Sequence, residues 1–500
     1  LGGQDLLGTV AAPLNAQLGP LQDNGGHILT LALLAGSAAI DAGDDAVSGS
    51  PLNLTTDQRG RPRRNGVHVD IGAFEAGAAA LTVTNLNDSG PGSLRHTLAD
   101  ASPVEADTIV FASNLLGAIN LTSGELLINK NLTINGPGAN LLTVQRSTAP
   151  GTPAFRIFNI IPNSGIATIS GLTIANGIAS SENGGNGGGI ANSATLTISN
   201  STISGNSASS GGGIVSSRPM TIINSTISGN SATGNGFGGG IYNTDTLTIT
   251  NSTISGNSAS SGLGIGSGGG IHNVGGTVGI TSSTISGNTA QFRGGGVGNP
   301  SGMVRSRNTI IALNTAPNAG PDVNGALTSQ GFNLIGNNSG ATITPLLFSD
   351  QIGVSAAQVN LGPLQNNGGA TQTHALLSGS AAIDKGDSSG AAADQRGRLR
   401  TYDFASLANA SGGDGSDIGA FELQLPTLTL TGPVKSGNNM VVSFSGDLGQ
   451  RYRIERKDVL APGAWTTVTD NIAGTGGVVP VTDLGAAIQP KRFYRGQVLP

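Results

Sequence analysis

The stretch Asn251-Ser-Thr-Ile-Ser-Gly-Asn257 decides how this chain folds, because it recurs. The same phrase stands at 200–206 and 224–230, and a fourth copy at 282–288 replaces the first Asn by Ser. A glycine phrase alternates with it: Gly187-Gly-Gly-Ile190, then 211–214, 238–241, 268–271, and 294–297 ending in Val297. The steps between glycine phrases are 24, 27, 30 and 26 residues. Weaker echoes flank the block at 171–174 and 308–311. A fixed period of this length is the mark of a repeat architecture.

Each period reads as three short strands, for example 240–243, 246–250 and 252–255. Apolar residues alternate with Ser or Thr, the period of a strand with one buried face. No helical pattern lies between them, which excludes βαβ crossovers and leaves a coil stacked on copies of itself. Three inward columns follow: Ile190/Ile214/Ile241/Ile271/Val297, Leu196/Met220/Leu247/Val278 and Ile203/Ile227/Ile254/Ile285. Asn200/Asn224/Asn251 and Asn206/Asn230/Asn257/Asn288 belong at corners. There Asn tolerates the left-handed conformation and stacked amides can bond up the ladder. The glycines suit a third corner with positive φ or close backbone approach. Variable loops precede the glycine phrase, at 235–237 and 260–267.

This ladder, over roughly residues 80 to 345, resembles the right-handed parallel β-helix of bacterial pectin-lyase-like proteins. The fold class expected is therefore all-β, a solenoid of about ten coils, on the order of 50 Å long at strand spacing. Its opening, from 81 to 146, carries a turn at 89–93 and a short helix from Leu94 to Ala101 capped by Ser93. That helix would cover the unpaired strand edges of the first coil.

A longer repeat brackets the ladder. Leu18-Gly-Pro-Leu-Gln-Asp-Asn-Gly-Gly26 matches 361–369, 36–41 matches 379–384, 57–61 matches 394–398, and 70–75 matches 417–422. These phrases resemble the choice-of-anchor Q module, which implies a secreted or cell-surface location on the bacterial exterior and no reaction. The second copy departs by an insertion at 402–415. The organisation expected is 1–76 as the tail module of an upstream β-helix unit, 77–345 as the capped β-helix, 346–424 as a second tail module, and 425–500 as a small β-sandwich. A tandem array of such units is the simplest reading, with neighbouring units as partners. The last segment holds 8 Lys and Arg against 5 acids and the only Trp, Trp465; its alternating runs suggest about six strands and a fibronectin-like fold.

Composition narrows the function. Of 500 residues 81 are Gly, only 11% are charged and 3% aromatic, and the net charge is −5, so no basic footprint for nucleic acid exists. Without cysteine there is no disulfide, thiolate chemistry or Cys-bound zinc. No apolar run is long enough to span a membrane.

Polysaccharide cleavage is the natural activity to test on this fold. Hydrolysis needs two carboxylates roughly 5–10 Å apart, and lyase chemistry a base with a clamp for an acidic sugar. Between 183 and 321 stand one acid, Asp245, and one histidine, His272, on different strands of successive coils. No catalytic residue is assigned. Aromatics for sugar stacking are few there: Phe237, Tyr242 and Phe292. Tyr242 and His272 read as exposed strand residues. The outward row Thr202, Thr226, Thr253 and Thr284 reads as the solvated side of a sheet. The acidic loops of the tail modules are the better site: Asp41, Asp44, Asp57 and Asp70 in one, Asp384, Asp387, Asp394 and Asp417 in the other. Oxygen-rich loops with Gly suit Ca²⁺, the one cofactor considered. The competing reading pairs them with Arg59, Arg61, Arg396 and Arg398 and with backbone N–H groups.

The function expected is a non-catalytic extracellular or cell-surface protein, structural or adhesin-like, that presents a β-helix surface to polysaccharide or another surface ligand. The alternative is a carbohydrate-active enzyme, a polysaccharide lyase or glycoside hydrolase of the pectin-lyase-like fold.

Overall fold

The computed structural model describes residues 5–26, 28–103, 105–161, 165–179, 185–424, 428–446, 451–460, 462–474, 478–489 and 491–499. Strands dominate, and the core of the molecule is a parallel β-solenoid. In the central coils Ile190–Asn192, Thr195–Ser199 and Thr202–Ser204 stack on Ile214–Ser216, Met220–Ile223 and Thr226–Ser228, then on Ile241–Asn243, Thr246–Thr250 and Thr253–Ser255. All pairs are parallel, and the register sets like on like: Ile203 on Ile227 on Ile254 on Ile285. Ten strands stack in the sheet that contains this column. Its span is about 45 Å at a strand spacing of about 4.8 Å.

The three inward columns are buried as the alternation requires. Ile190, Ile214, Ile241, Ile271 and Val297 are solvent-free, as are Ile203, Ile227, Ile254 and Ile285. Each fully buried Ile or Leu contributes about 1.5–3 kcal/mol of transfer free energy, and the stack repeats that gain at every coil.

The two Asn columns divide the corner work between them. Asn200, Asn224 and Asn251 adopt φ of 47–49°, and Ser282 and Asn308 continue the column with 48° and 49°. The other column stays out of the left-handed region and forms an amide ladder inside the wall. Asn206 Nδ2 donates to Asn230 Oδ1 at 2.9 Å, Asn230 to Asn257 at 2.9 Å, Asn257 to Asn288 at 2.8 Å, and Asn288 to Asn314 at 2.9 Å. The ladder ends when Asn314 Nδ2 donates to Asp322 Oδ1 at 2.8 Å. The glycine phrase does both things expected of it. Gly211, Gly238 and Gly268 have φ of 62–68°, and a Cβ on Gly212 would lie 2.5 Å from the Gly239 carbonyl oxygen of the next coil.

At the opening, the helix Leu94–Asp100 is capped by Ser93, whose Oγ accepts from the His96 amide at 3.2 Å. Leu94 and Leu98 bury against the first coils. At the far end six antiparallel strands form two three-stranded sheets, with Phe444, Tyr452, Ile454 and Val481 in a common apolar cluster. Among the described residues no helix is long and apolar enough to cross a membrane.

The main departure from the sequence reading is the position of residues 346–424. This segment returns along the side of the solenoid and covers its outer face. The expected solvated Thr row is therefore largely interior. Thr226 and Thr253 have no exposure and Thr284 only 2%, while Thr202, beyond the cover, is half-buried. Thr226 Oγ1 donates to the Gln372 carbonyl at 2.6 Å, Thr253 Oγ1 to Gln395 Oε1 at 2.6 Å, and the Ala420 amide donates to Thr284 Oγ1 at 3.1 Å. Lower down, the outward residues Ile310, Ala312 and Leu334 join Val359, Leu376, Ile383, Ile418 and Phe421 in a second apolar cluster.

Candidate functional site

The two tail modules repeat one charged arrangement almost atom for atom. Asp394 Oδ1 accepts from the backbone amides of Arg396 at 2.9 Å and Arg398 at 3.0 Å. Its Oδ2 accepts from Arg396 Nε at 2.9 Å and from the Glu422 amide at 3.0 Å. In the first module Asp57 does the same with Arg59 (2.8 Å), Arg61 (3.1 Å), Arg59 Nε (2.8 Å) and the Glu75 amide (3.1 Å). Each arginine lies over a phenylalanine ring, Arg396 3.5 Å from the Phe421 centroid and Arg59 3.6 Å from Phe74. This is cation–π packing that fixes the loop.

The other acids are likewise engaged. Asp417 Oδ1 accepts from the Asp384 amide at 2.8 Å, and Asp70 Oδ1 from the Asp41 amide at 2.7 Å. Both Asp384 and Asp41 sit in the left-handed region, at φ of 54° and 53°. Asp384 accepts from the Phe404 amide, Asp41 from the His68 amide at 3.0 Å, and Asp44 from the Ala46 amide at 2.9 Å as the cap of a short 3-10 helix. Asp387 pairs with Arg307 at 2.8 Å. Among the described residues no three carboxylate or imidazole groups converge so that they could hold a metal ion. The four Asp of each module do not meet at one point; they accept from backbone amides, and Asp57, Asp394 and Asp387 also from arginines. The Arg pairing expected from the sequence is present for Arg59 and Arg396. Arg61 instead reaches across to Glu105 and Asp107 at the solenoid opening.

Three residues at the centre of the second module carry the strongest electrostatics. Arg400 is fully buried; its Nη2 donates to the Gly419 carbonyl at 2.5 Å, and its Nε and Nη1 have no hydrogen-bond partner among the described residues. Burial lowers its pKa against the pull of Glu422, Asp394 and Asp417. Asp417 and Glu422 are both buried, and desolvation raises both carboxyl pKa values, with the charge of the neighbouring acid adding to it. Glu422 still accepts from the Tyr402 and Asp417 amides, each at 2.9 Å. The alternation pattern does not single out Arg400 or Gln395. The signal for them is the apolar doublets Ile310-Ile311 and Leu334-Ile335, since a strand apolar on both faces is covered on both.

His272 also departs from expectation. It is 6% exposed and stacks between Phe237, centroid 4.9 Å away, and Tyr242, 5.7 Å away. Its Nδ1 has no hydrogen-bond partner among the described residues, and burial lowers its pKa to about 4. The stack arises because Tyr242 and His272 share register in successive coils. Tyr242 and Phe237 remain half-buried, so the outer side of the stack reaches solvent.

None of these places assembles acid–base chemistry. A cavity of about 740 Å³ beside the end of the amide ladder is lined by a single acid, Asp322. Both of its oxygens are used: Oδ1 by Asn314, and Oδ2 by the Asn337 amide at 2.5 Å. A second cavity, about 700 Å³ and lined by Ile383, Lys385, Phe404 and Leu407, has no acid in its wall among the described residues. No protein-family model matches the chain, and a comparison with curated proteins finds no match.

Proposed function

We propose that the protein is a non-catalytic structural or adhesin-like component of the bacterial exterior. In this reading the solenoid is a right-handed β-helix of the pectin-lyase-like type, the two tail modules are of the choice-of-anchor Q type, and the last six strands form a fibronectin-like sandwich. The observation that carries the proposal is the use of the acids. Of the carboxylates that the sequence marks as site candidates, the buried Asp57, Asp70, Asp394 and Asp417 use both oxygens on backbone amides and arginines and fasten the tail module. The exposed Asp41 and Asp44 each use one oxygen on a backbone amide. A general acid or nucleophile needs a free oxygen facing a groove. The ligand class is glycan, and the Phe237–His272–Tyr242 stack is the place on the central coils where a sugar face can pack.

The test is a panel of neutral and acidic polysaccharides, assayed both for cleavage and for retention of the protein. Retention without new reducing ends or unsaturated uronates, weakened at least tenfold by Tyr242→Ala, is the expected result. Release of fragments above a heat-inactivated control would overturn the proposal in favour of a lyase or hydrolase.

A further inference from the structure

The two tail modules have the same internal network but differ in what covers them. In the second module the face that carries Gln395, Arg400 and Ile418 lies on the solenoid, and Gln395 is 3% exposed and Ile418 not at all. In the first module the aligned residues are Gln58, Arg63 and Ile71. Ile71 is 41% exposed and Gln58 lies open. Ile28 and Leu31, aligned with Thr371 and His374, are 51% and 44% exposed. Arg63 keeps the bond that Arg400 makes within the module, to the Gly72 carbonyl at 2.6 Å where Arg400 uses Gly419. Arg400 has in addition the solenoid's Ser282 carbonyl, 3.4 Å away.

The opposite face shows the reverse pattern. Arg61 of the first module is 1% exposed, bound to Glu105 and Asp107 at the opening of the solenoid that follows it. Its counterpart Arg398 is half-buried. Each module therefore has two faces. One, filled in the second module, takes the side of the solenoid before it, and the other, filled in the first module, takes the opening of the solenoid after it. The first module has its forward face filled and its backward face open.

We infer that the open face of the first module, Ile28, Leu31, Gln58, Arg63 and Ile71, is a docking surface for the outer sheet of another parallel β-solenoid unit joined ahead of it. The chemistry of that sheet follows from the filled example. Gln58 keeps the amide that Gln395 offers to Thr226 and Thr253, and the Ala73 backbone matches Ala420, which binds Thr284. The partner sheet therefore carries hydroxyls in that column. Opposite Leu31 it carries an apolar residue, since there His374 meets the Ser255 hydroxyl at 2.8 Å. The inference rests on the tandem reading of the repeat, and a chain that degraded polysaccharide would leave it untouched.

A chain extended by a second copy of residues 77–343 ahead of Leu1, with Ser255→Ala in the added copy, tests it. The natural chain has no cysteine, so disulfides report contacts cleanly. Gln58→Cys with Thr253→Cys of the added copy should close a disulfide to within about twofold of the yield from Gln395→Cys with Thr253→Cys in the original unit, at the short reach such a bond needs. Closure of the second pair alone would overturn the inference. The unextended chain gives an independent reading. Ile418→Ser should lower the melting temperature by several degrees, and Ile71→Ser should leave it within about 1 °C. An equal loss from Ile71→Ser would overturn the inference, because the face would then be filled within the chain. So would a concentration-dependent dimer abolished by Ile71→Ser, because the occupant would then be a second copy of the same face.

Discussion

Thr253 Oγ1 donates to Gln395 Oε1 at 2.6 Å across 142 positions of sequence, and both side chains are sealed from solvent. The bond ties the returning tail to the wall of the solenoid. Gln395 Nε2 extends it to Thr226 Oγ1 at 3.0 Å and Thr371 Oγ1 at 2.9 Å. Thr253→Val keeps the shape and leaves the Gln395 oxygen buried without a donor. The expected cost is about 1–3 kcal/mol, visible as a lower midpoint in urea. Limited proteolysis should cut first within 346–424. An unchanged midpoint would mean that the tail is held by its apolar contacts alone.

The amide ladder makes a sharper demand. Asn257 accepts from the amide and the side chain of Asn230, and donates to Asn288 and to the Ile227 carbonyl. Asn257→Ala strands several of these groups in a wall closed to solvent. The expected loss is about 3–5 kcal/mol, more than one unsatisfied group costs. Asn224→Ala tests a different role, the left-handed corner, and should cost about 1–2 kcal/mol through backbone strain. Equal losses at the two sites would show that the columns do not divide the work as their φ angles indicate.

How far the sequence could carry these conclusions depends on the range of the signal. The inward columns are legible because burial repeats every second residue and every coil, as in Ile203, Ile227, Ile254 and Ile285. The corner asparagines are legible in part, since one residue type serves two geometries that only the backbone separates. The fate of the Thr row is not legible from strand period. A Thr pointing outward looks the same whether it meets water or Gln395. The charged loops mark where the acids lie, but whether an aspartate faces an amide or an ion is decided by turns of a few residues. His272 was hidden for a similar reason: its burial depends on Phe237, which arrives from another part of the preceding coil.

His272 provides a pH test. Its folded pKa lies near 4, below the usual 6.5, because burial disfavours the charged ring. Between those values the unfolded chain binds the proton and the folded chain does not. Stability from this group is therefore full above about pH 6.5 and is lost as pH falls towards 4, by up to about 3 kcal/mol. His272→Phe should preserve the stack and remove that dependence. Urea midpoints at pH 7 and pH 5 should then differ less in the variant than in the natural chain. Identical differences would place the ring in water in solution.

The acid pair of the second module has the opposite sign. Burial raises the pKa values of the Asp417–Glu422 pair, and their mutual charge adds to it, so the fold holds protons there that the unfolded chain releases near pH 4. The stability this pair contributes is present below about pH 4 and declines as pH rises above it, until the buried pair has lost its protons. One titrating proton sets a slope of about 1.4 kcal/mol per pH unit. Glu422→Gln should flatten that decline, because the amide stays neutral, and should add a loss that does not vary with pH, because its single oxygen can serve only one of the Tyr402 and Asp417 amides. Arg400 offsets the charge that remains at high pH. Arg400→Met removes the cation and leaves the charge of the acid pair buried without a counter-ion, at an expected cost of about 3–5 kcal/mol at pH 8. Below pH 5, with the acids protonated, the same substitution should cost far less. Urea unfolding of the three proteins from pH 5 to pH 8.5 measures both effects, and a cost for Arg400→Met that did not grow with pH would show that this arginine holds the tail by packing rather than by charge.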